Sequence, residues 1–265
     1  MYGAILGDII GSPYEFDRSG KTRDFPLFIP ESRFTDDTVM TLAAADAFLS
    51  VSPAESDAQI RKALVRAMQH FGRRYRNIGY GAKFLNWLLC DDPQPYGSWG
   101  NGSAMRVSSA GWLFDDLETV RKMARLSALI SHDHPEAIAG AEAVASAVFL
   151  ARTGSTKDRI RDYIESNFGY DLSRSCDEIR PDYRHVVSCQ QTVPEAMTAF
   201  LEGESFEDVI RTAVSLGGDC DTLTCIAGAV AEAFYGVPEE LKEACRSRLR
   251  ADLLDVLARF EAAVK

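Results

Sequence analysis

Gly217-Gly218-Asp219-Cys220-Asp221-Thr222 leads directly into Leu223-Thr224-Cys225-Ile226-Ala227-Gly228-Ala229-Val230-Ala231-Glu232-Ala233-Phe234-Tyr235. Small and apolar residues fill 223–235 with almost no polar face, so the run predicts a helix buried on nearly all sides. Residues 3–11 and 39–50 have the same character. Small side chains let helix axes approach closely, so these three helices are expected to cross near the centre of the molecule. Helical spacing dominates elsewhere. Ile60, Leu64, Met68, Phe71 and Tyr75 recur at three- and four-residue steps within 54–75, and 117–130, 135–151, 194–202 and 205–215 follow suit. Pro135 and Pro194 are expected in first helical turns. From Pro238, the stripe Leu241, Cys245, Leu249, Leu253, Leu257 and Phe260 predicts one closing, core-packing helix. Strand signal is confined to a short segment at 183–187. No linker or composition break interrupts the chain. The expectation is an all-α, compact helical globule with a single domain over 1–265.

Each small-residue helix is flanked by acids. The first contains Gly7-Asp8 and runs through Gly11-Ser12-Pro13-Tyr14 to Glu15; Phe34-Thr35-Asp36-Asp37-Thr38 introduces the second; Asp219 and Asp221 introduce the third. Helix capping explains one such oxygen per start, since Asp and Thr favour that position and the dipole favours acids. Paired acids with threonines, found twice, exceed that need. If both starts and Glu15 converge, two carboxylates 4 Å apart repel by about 4 kcal/mol at an effective dielectric of 20. Five in one cleft require protonation or a cation. Oxygen donors without His or Cys favour a hard ion, Mg²⁺ or Mn²⁺, and two ions sharing a carboxylate suit the ligand count.

The composition bounds the function. Of 265 residues, 46% are hydrophobic and 26% charged, enough to bury a substantial core and too apolar for a disordered chain. With 39 acidic and 29 basic residues the net charge is −10, which disfavours general nucleic-acid or anionic-membrane binding. Met1–Ile10 carries Asp8 and no basic flank, so it is not read as a signal peptide, and no run suits a membrane span. The six cysteines, at 90, 176, 189, 220, 225 and 245, have no metal-type spacing and are read as buried free thiols of a cytoplasmic protein.

Three further motifs carry chemistry. Gly97-Ser98-Trp99-Gly100-Asn101-Gly102-Ser103-Ala104-Met105-Arg106 can offer backbone N–H groups to phosphates and a ring to a base or sugar, although it is not a Walker loop. Ser131-His132-Asp133-His134-Pro135-Glu136 places two histidines just before a helix, suited to capping or to a ligand hydrogen bond. Arg73-Arg74-Tyr75-Arg76 is read as a solvated helix end.

Taken in order, the motifs Gly3–Asp8 with Gly11–Glu15, Phe34–Thr38, Trp99–Arg106, Ser131-His132 and Gly217–Thr222 resemble those of the ADP-ribosylglycohydrolases, over residues 3 to about 236. The resemblance implies an all-α fold with a binuclear Mg²⁺ or Mn²⁺ cleft. By motif match, Thr35, Asp36 and Asp37 would ligate from one side and Asp219, Asp221 and Thr222 from the other. Glu15 would be the catalytic acid/base. Gly97, Ser98, Trp99, Gly100, Asn101 and Gly102 would cradle diphosphate and ribose, and His132 would contact the ligand near its phosphates. Trp99 stands where some relatives carry tyrosine, and Ser131 where threonine is common. The implied activity is cleavage of the glycosidic bond between the distal ribose of an ADP-ribosyl group and an N- or O-linked acceptor, in a small molecule or a modified macromolecule. Another metal-dependent hydrolase of a phosphoester or diphosphate, and a non-catalytic ADP-ribose binder, are the competing readings.

Overall fold

The computed structural model describes residues 1–16, 18 and 20–264. The helices are α1 (Tyr2–Gly11), α2 (Asp36–Leu49), α3 (Asp57–Arg74), α4 (Ala82–Leu89), α5 (Gly102–Met105), α6 (Ser108–Leu113), α7 (Leu117–Leu129), α8 (Pro135–Arg152), α9 (Lys157–Phe168), α10 (Cys176–Ile179), α11 (Cys189–Glu202), α12 (Phe206–Leu216), α13 (Cys220–Tyr235), α14 (Glu239–Arg246) and α15 (Ala251–Ala263). A 3₁₀ turn, Ser12–Tyr14, follows α1. The described residues contain no strand, only an isolated bridge between Gly100 and Ser188. The fold is all-α, as expected.

The three small-residue helices do meet. α1 carries glycine at positions 3, 7 and 11, a four-residue repeat that puts all three on one stripe. A Cβ at Gly3 would lie 2.0 Å from the Gly228 carbonyl oxygen, and one at Gly7 only 2.2 Å from that of Thr224. At Gly11 it would meet the Asp221 Cα at 2.7 Å. The α1 and α13 backbones therefore touch along three turns with no side chain between them. All ten residues of α1 are buried. Its N-terminal N–H groups, which lack intrahelical partners, are taken by the Glu232 carboxylate of α13: Tyr2 N donates to Oε1 at 3.1 Å and Gly3 N to Oε2 at 2.7 Å. α2 packs beside both helices, and the alanine-rich α8 closes the far side of α13.

Several expectations are corrected. Residues 183–187 have no regular secondary structure; among the described residues only the single bridge at Ser188 forms. The stripe after Pro238 is split into α14 and α15 because its two halves pack on different neighbours, α14 on α1 and α15 on α2. Pro194 lies inside α11, which starts five residues earlier, at Cys189. The arginine run does end a helix and is solvent-exposed at Arg74 and Arg76, but it is also bonded: Arg73 Nε donates to Leu88 O at 2.8 Å and Nη2 to Cys90 O at 2.9 Å, and Arg74 pairs with Asp252 at 2.7 Å. Of the six free cysteines, Cys90 is exposed. Among the described residues no helix is long and apolar enough to cross a membrane.

Gly7→Ala is expected to cost about 3 kcal/mol or more in urea unfolding, because two backbones must separate to admit one methyl group. Gly81 has nothing within 4 Å of a Cβ and sits at φ −58°. Gly81→Ala should stay within about 0.5 kcal/mol of the parent.

Candidate functional site

The close approach of α1 to α13 brings Asp8 beside Asp221, and Asp8 in turn holds α2. Asp8 Oδ2 accepts from Thr35 N at 2.8 Å, Thr38 N at 3.0 Å and Thr38 Oγ1 at 2.5 Å, while Oδ1 accepts from Thr35 Oγ1 at 2.7 Å. An acid from one helix thus satisfies the orphan donors at the start of another. Asp8 is buried, with four donors on its two oxygens. Sequence reasoning quoted it without a role; its signal was a charged residue in the middle of an otherwise apolar helix.

Asp37 is left differently placed. It shares a 4.8 Å cluster with Asp8 and Asp221. Its Oδ2 accepts from Thr222 Oγ1 at 3.3 Å, whereas its Oδ1 is buried with no hydrogen-bond partner. At the start of α13, Asp219 makes no capping bond. Its Oδ2 instead accepts from Asn101 Nδ2 at 2.7 Å. The acids are therefore not consumed by capping. Asp36 lies on the same floor, with Oδ1 2.3 Å from where a Gly79 Cβ would stand, and Gly79 itself has φ +132°. Only glycine fits there.

Burial pushes Asp36, Asp37, Asp219 and Asp221 upward from the usual carboxylate range, and for the first three the charge of Asp221 adds to the rise. Asp8 is pushed up to about 7 by burial and by Asp221, against the pull of its threonine donors. An orphaned carboxylate oxygen among like charges, surrounded by oxygen donors, fits a hard divalent cation.

Asp36, Asp37, Asp219 and Asp221 form the floor of a cleft of about 790 Å³ that also takes in Glu15, Asn101, Gly102, His132 and His185, with Asp8 buried outside its lining. Glu15 is half-buried; its carboxyl is raised by burial and by Asp221, and lowered by His185 and Arg18. Ser98, Gly100, Asn101 and Gly102 line the cleft, whereas Gly97 and Trp99 stand outside that lining. Trp99 is 55% exposed, with its ring edge on His134. Part of the loop is internally engaged. Gly97 N donates to Asp133 Oδ1 at 2.6 Å, Gly100 N to Ser98 Oγ at 3.2 Å and Asn101 N to Val187 O at 2.8 Å. The N–H groups of Ser98 and Gly102 have no such partner among the described residues.

His132 is buried, and burial with the nearby Arg106 charge holds its ring well below the usual imidazole value, so it is neutral. Arg106 Nη2 donates to Ser131 Oγ at 3.0 Å, so the Ser131 hydroxyl is free to donate to His132 Nδ1 at 2.8 Å. The remaining ring proton belongs on Nε2, beside Gly102, as a donor. His134 caps α8 instead, accepting from Glu136 N at 3.2 Å. Arg106 and His185 are lining residues that sequence reasoning did not assign; His185 is an isolated histidine in a loop and gives no periodic or motif signal.

The raised carboxyls fix a pH dependence. Groups whose folded pKa exceeds the unfolded value near 3.8 contribute stability below that value and lose it as pH rises through the folded pKa, about 7 for Asp8. In EDTA, Tm should fall between pH 5 and pH 8. Millimolar Mg²⁺ should restore it, and Asp37→Asn should flatten the EDTA curve. Calorimetric scans across that range decide; a flat wild-type curve in EDTA would contradict the electrostatic account.

Comparison with known proteins places the chain in a family. The family model for ADP-ribosylglycohydrolase matches residues 1–264. ADP-ribosylhydrolase ARH3 of Homo sapiens is 27% identical over 96% of this chain and 90% of its own length. ADP-ribosylarginine hydrolase Tri1 of Pseudomonas putida (strain GB-1) is 27% identical over 89% of this chain and 70% of its own. A solved ADP-ribosylglycohydrolase-related protein complex shares the fold at a TM-score of 0.67 and 22% identity, covering 100% of this chain and 99% of that one. With the family matched from end to end and its fold shared, this chain belongs to the ADP-ribosylglycohydrolase family.

Proposed function

We propose that the chain, acting as one domain, hydrolyses the bond between the distal ribose of an ADP-ribosyl group and an N- or O-linked acceptor, with two divalent cations, Mg²⁺ or Mn²⁺, on the acidic floor. Family membership makes it a glycosyl hydrolase of ADP-ribose linkages. The observation that supports the finer reading is the buried, unpartnered Asp37 Oδ1 among converging carboxylates, in the same cleft as Glu15 and the donors of 98–102. The unpaired hexad of cysteines suits the cytoplasm.

Thr35, Asp36 and Asp37 from the start of α2, with Asp219, Asp221 and Thr222 from the start of α13, would hold the cations. Bound there, the cations would supply positioning of ribose hydroxyls and Lewis-acid polarisation. Asn101 fixes Asp219 through its amide and so orients one wall of the floor. His132, neutral and donating from Nε2, suits a phosphate oxygen, as do the free N–H groups of Ser98 and Gly102. Glu15, with its proton held more tightly than that of a solvated carboxyl, protonates the leaving N or O as the ribose–acceptor bond breaks. Water then adds to the anomeric carbon and returns a proton to the glutamate. Acid/base assistance of this kind is worth roughly 10² to 10⁴ in rate.

Calorimetric titration of ADP-ribose with Mg²⁺ and then with EDTA should show binding only with the metal. Asp36→Ala and Asp221→Ala should lose metal binding and hydrolysis together. Glu15→Gln should lose about 100-fold or more in kcat while keeping ADP-ribose affinity. Full turnover by Glu15→Gln would remove Glu15 from its role.

A further inference from the structure

The segment 183–188, outside any helix, is fastened at both ends beside the cleft. At one end Lys21 Nζ donates to Tyr183 O at 2.6 Å and to Arg180 O at 2.8 Å. At the other, Val187 O accepts from Asn101 N at 2.8 Å, and Cys189 N donates to Trp99 O at 3.0 Å. His185 stands between these anchors. Its ring stacks on Phe16, with centroids 4.5 Å apart and planes inclined by 17°. Phe16 follows Glu15 directly and sits at φ +59°, a left-handed conformation that is uncommon for a bulky residue. Its N–H is held by Gly218 O at 3.0 Å. The backbone next to Glu15 is thus locked, and His185 is packed on the lock.

From that position His185 Nε2 reaches Glu15 Oε1 at 3.4 Å, the one hydrogen-bond partner of the Glu15 carboxyl among the described residues. With the catalytic proton of Glu15 on Oε2, Oε1 is the accepting oxygen and Nε2 the donor. At 3.4 Å the contact is long for a hydrogen bond. We propose that His185 is a positioning residue for Glu15: by engaging Oε1 it fixes the carboxyl plane and leaves Oε2 to face the reacting bond. The same segment carries this histidine and holds the Asn101 loop, so the placement of the acid is tied to the cleft wall that this loop forms. The inference rests on the role of Glu15 proposed above.

Two substitutions separate the donor from the packing. His185→Phe keeps a ring for the Phe16 stack and removes the donor; His185→Gln removes the ring and keeps an N–H at similar reach. With the full chain in Mg²⁺, tested on arginine-, serine- and acetyl-linked ADP-ribose, His185→Phe should lose about 10- to 100-fold in kcat. KM, ADP-ribose affinity and Mg²⁺ affinity should stay within about threefold, and His185→Gln should recover most of the lost rate. Adding His185→Phe to Glu15→Gln should cost little more, since both act through one group. Unchanged kcat in His185→Phe would overturn the proposal. Equal losses in the two variants would overturn it in favour of packing, and a fall in Mg²⁺ affinity in favour of metal ligation. If no substrate is turned over by the wild type, the functional reading fails separately. The His185 ring resonances, read by ¹H–¹³C NMR, then decide the contact: they must move in Glu15→Gln, and a stationary spectrum would refute it.

Discussion

The structure depends on one close approach, that of the α1 backbone to α13 along Gly3, Gly7 and Gly11. With two carbonyl oxygens standing about 2 Å from where a methyl carbon would go, the helices have one depth of contact and one register. That register places Asp8 against Asp221, and Asp8 then captures the first turn of α2 through two threonines. The site floor is consequently assembled by helix packing. Buried hydrogen bonds from Asp8 to the start of α2 and from Asn101 to Asp219 at the start of α13 locate the acids, and the carboxylates are brought together whether or not their charges favour it.

This produces a standing conflict. Three carboxylates within 4.8 Å of one another repel by about 3.5 kcal/mol per pair at an effective dielectric of 20. Glycine packing and the Asp8 network hold them there. Asp8 answers its own charge with four donors, but Asp37 keeps one oxygen bare. Such a centre is strained without counter-charge and relaxed with it, which is the usual condition of a preorganised cation site.

Much of this was legible in sequence because it is written in local patterns. The small-residue runs and the doubled acid-threonine starts each sit within a few residues, and 3.6-residue periodicity exposed most helices. The illegible parts depend on neighbours far along the chain. The break between α14 and α15 follows from which helices each half meets, not from a proline or glycine. Pro194 reads as a helix start, yet tertiary packing carries α11 back to Cys189. Residues 183–187 alternate enough to suggest a strand, but the described residues contain no partner strand to receive them. His185 owes its place entirely to anchors on Lys21 and Asn101, distant in sequence.

Asp36, Asp37 and Asp221 stand in the first turns of α2 and α13 and Asp219 just before α13, whereas much of the cleft's rim stands on connections, at Glu15 and Phe16, Asn77 to Gly79, Ser98 and Gly100, and His185 and Val187. Floor and rim are thus separable in a genetic sense. Insertions, deletions and exchanges in those connections can reshape what the mouth admits without disturbing the helix register that sets the acids. A lineage built on this scaffold is free to diversify in the attachment it removes while inheriting its metal-binding base unchanged.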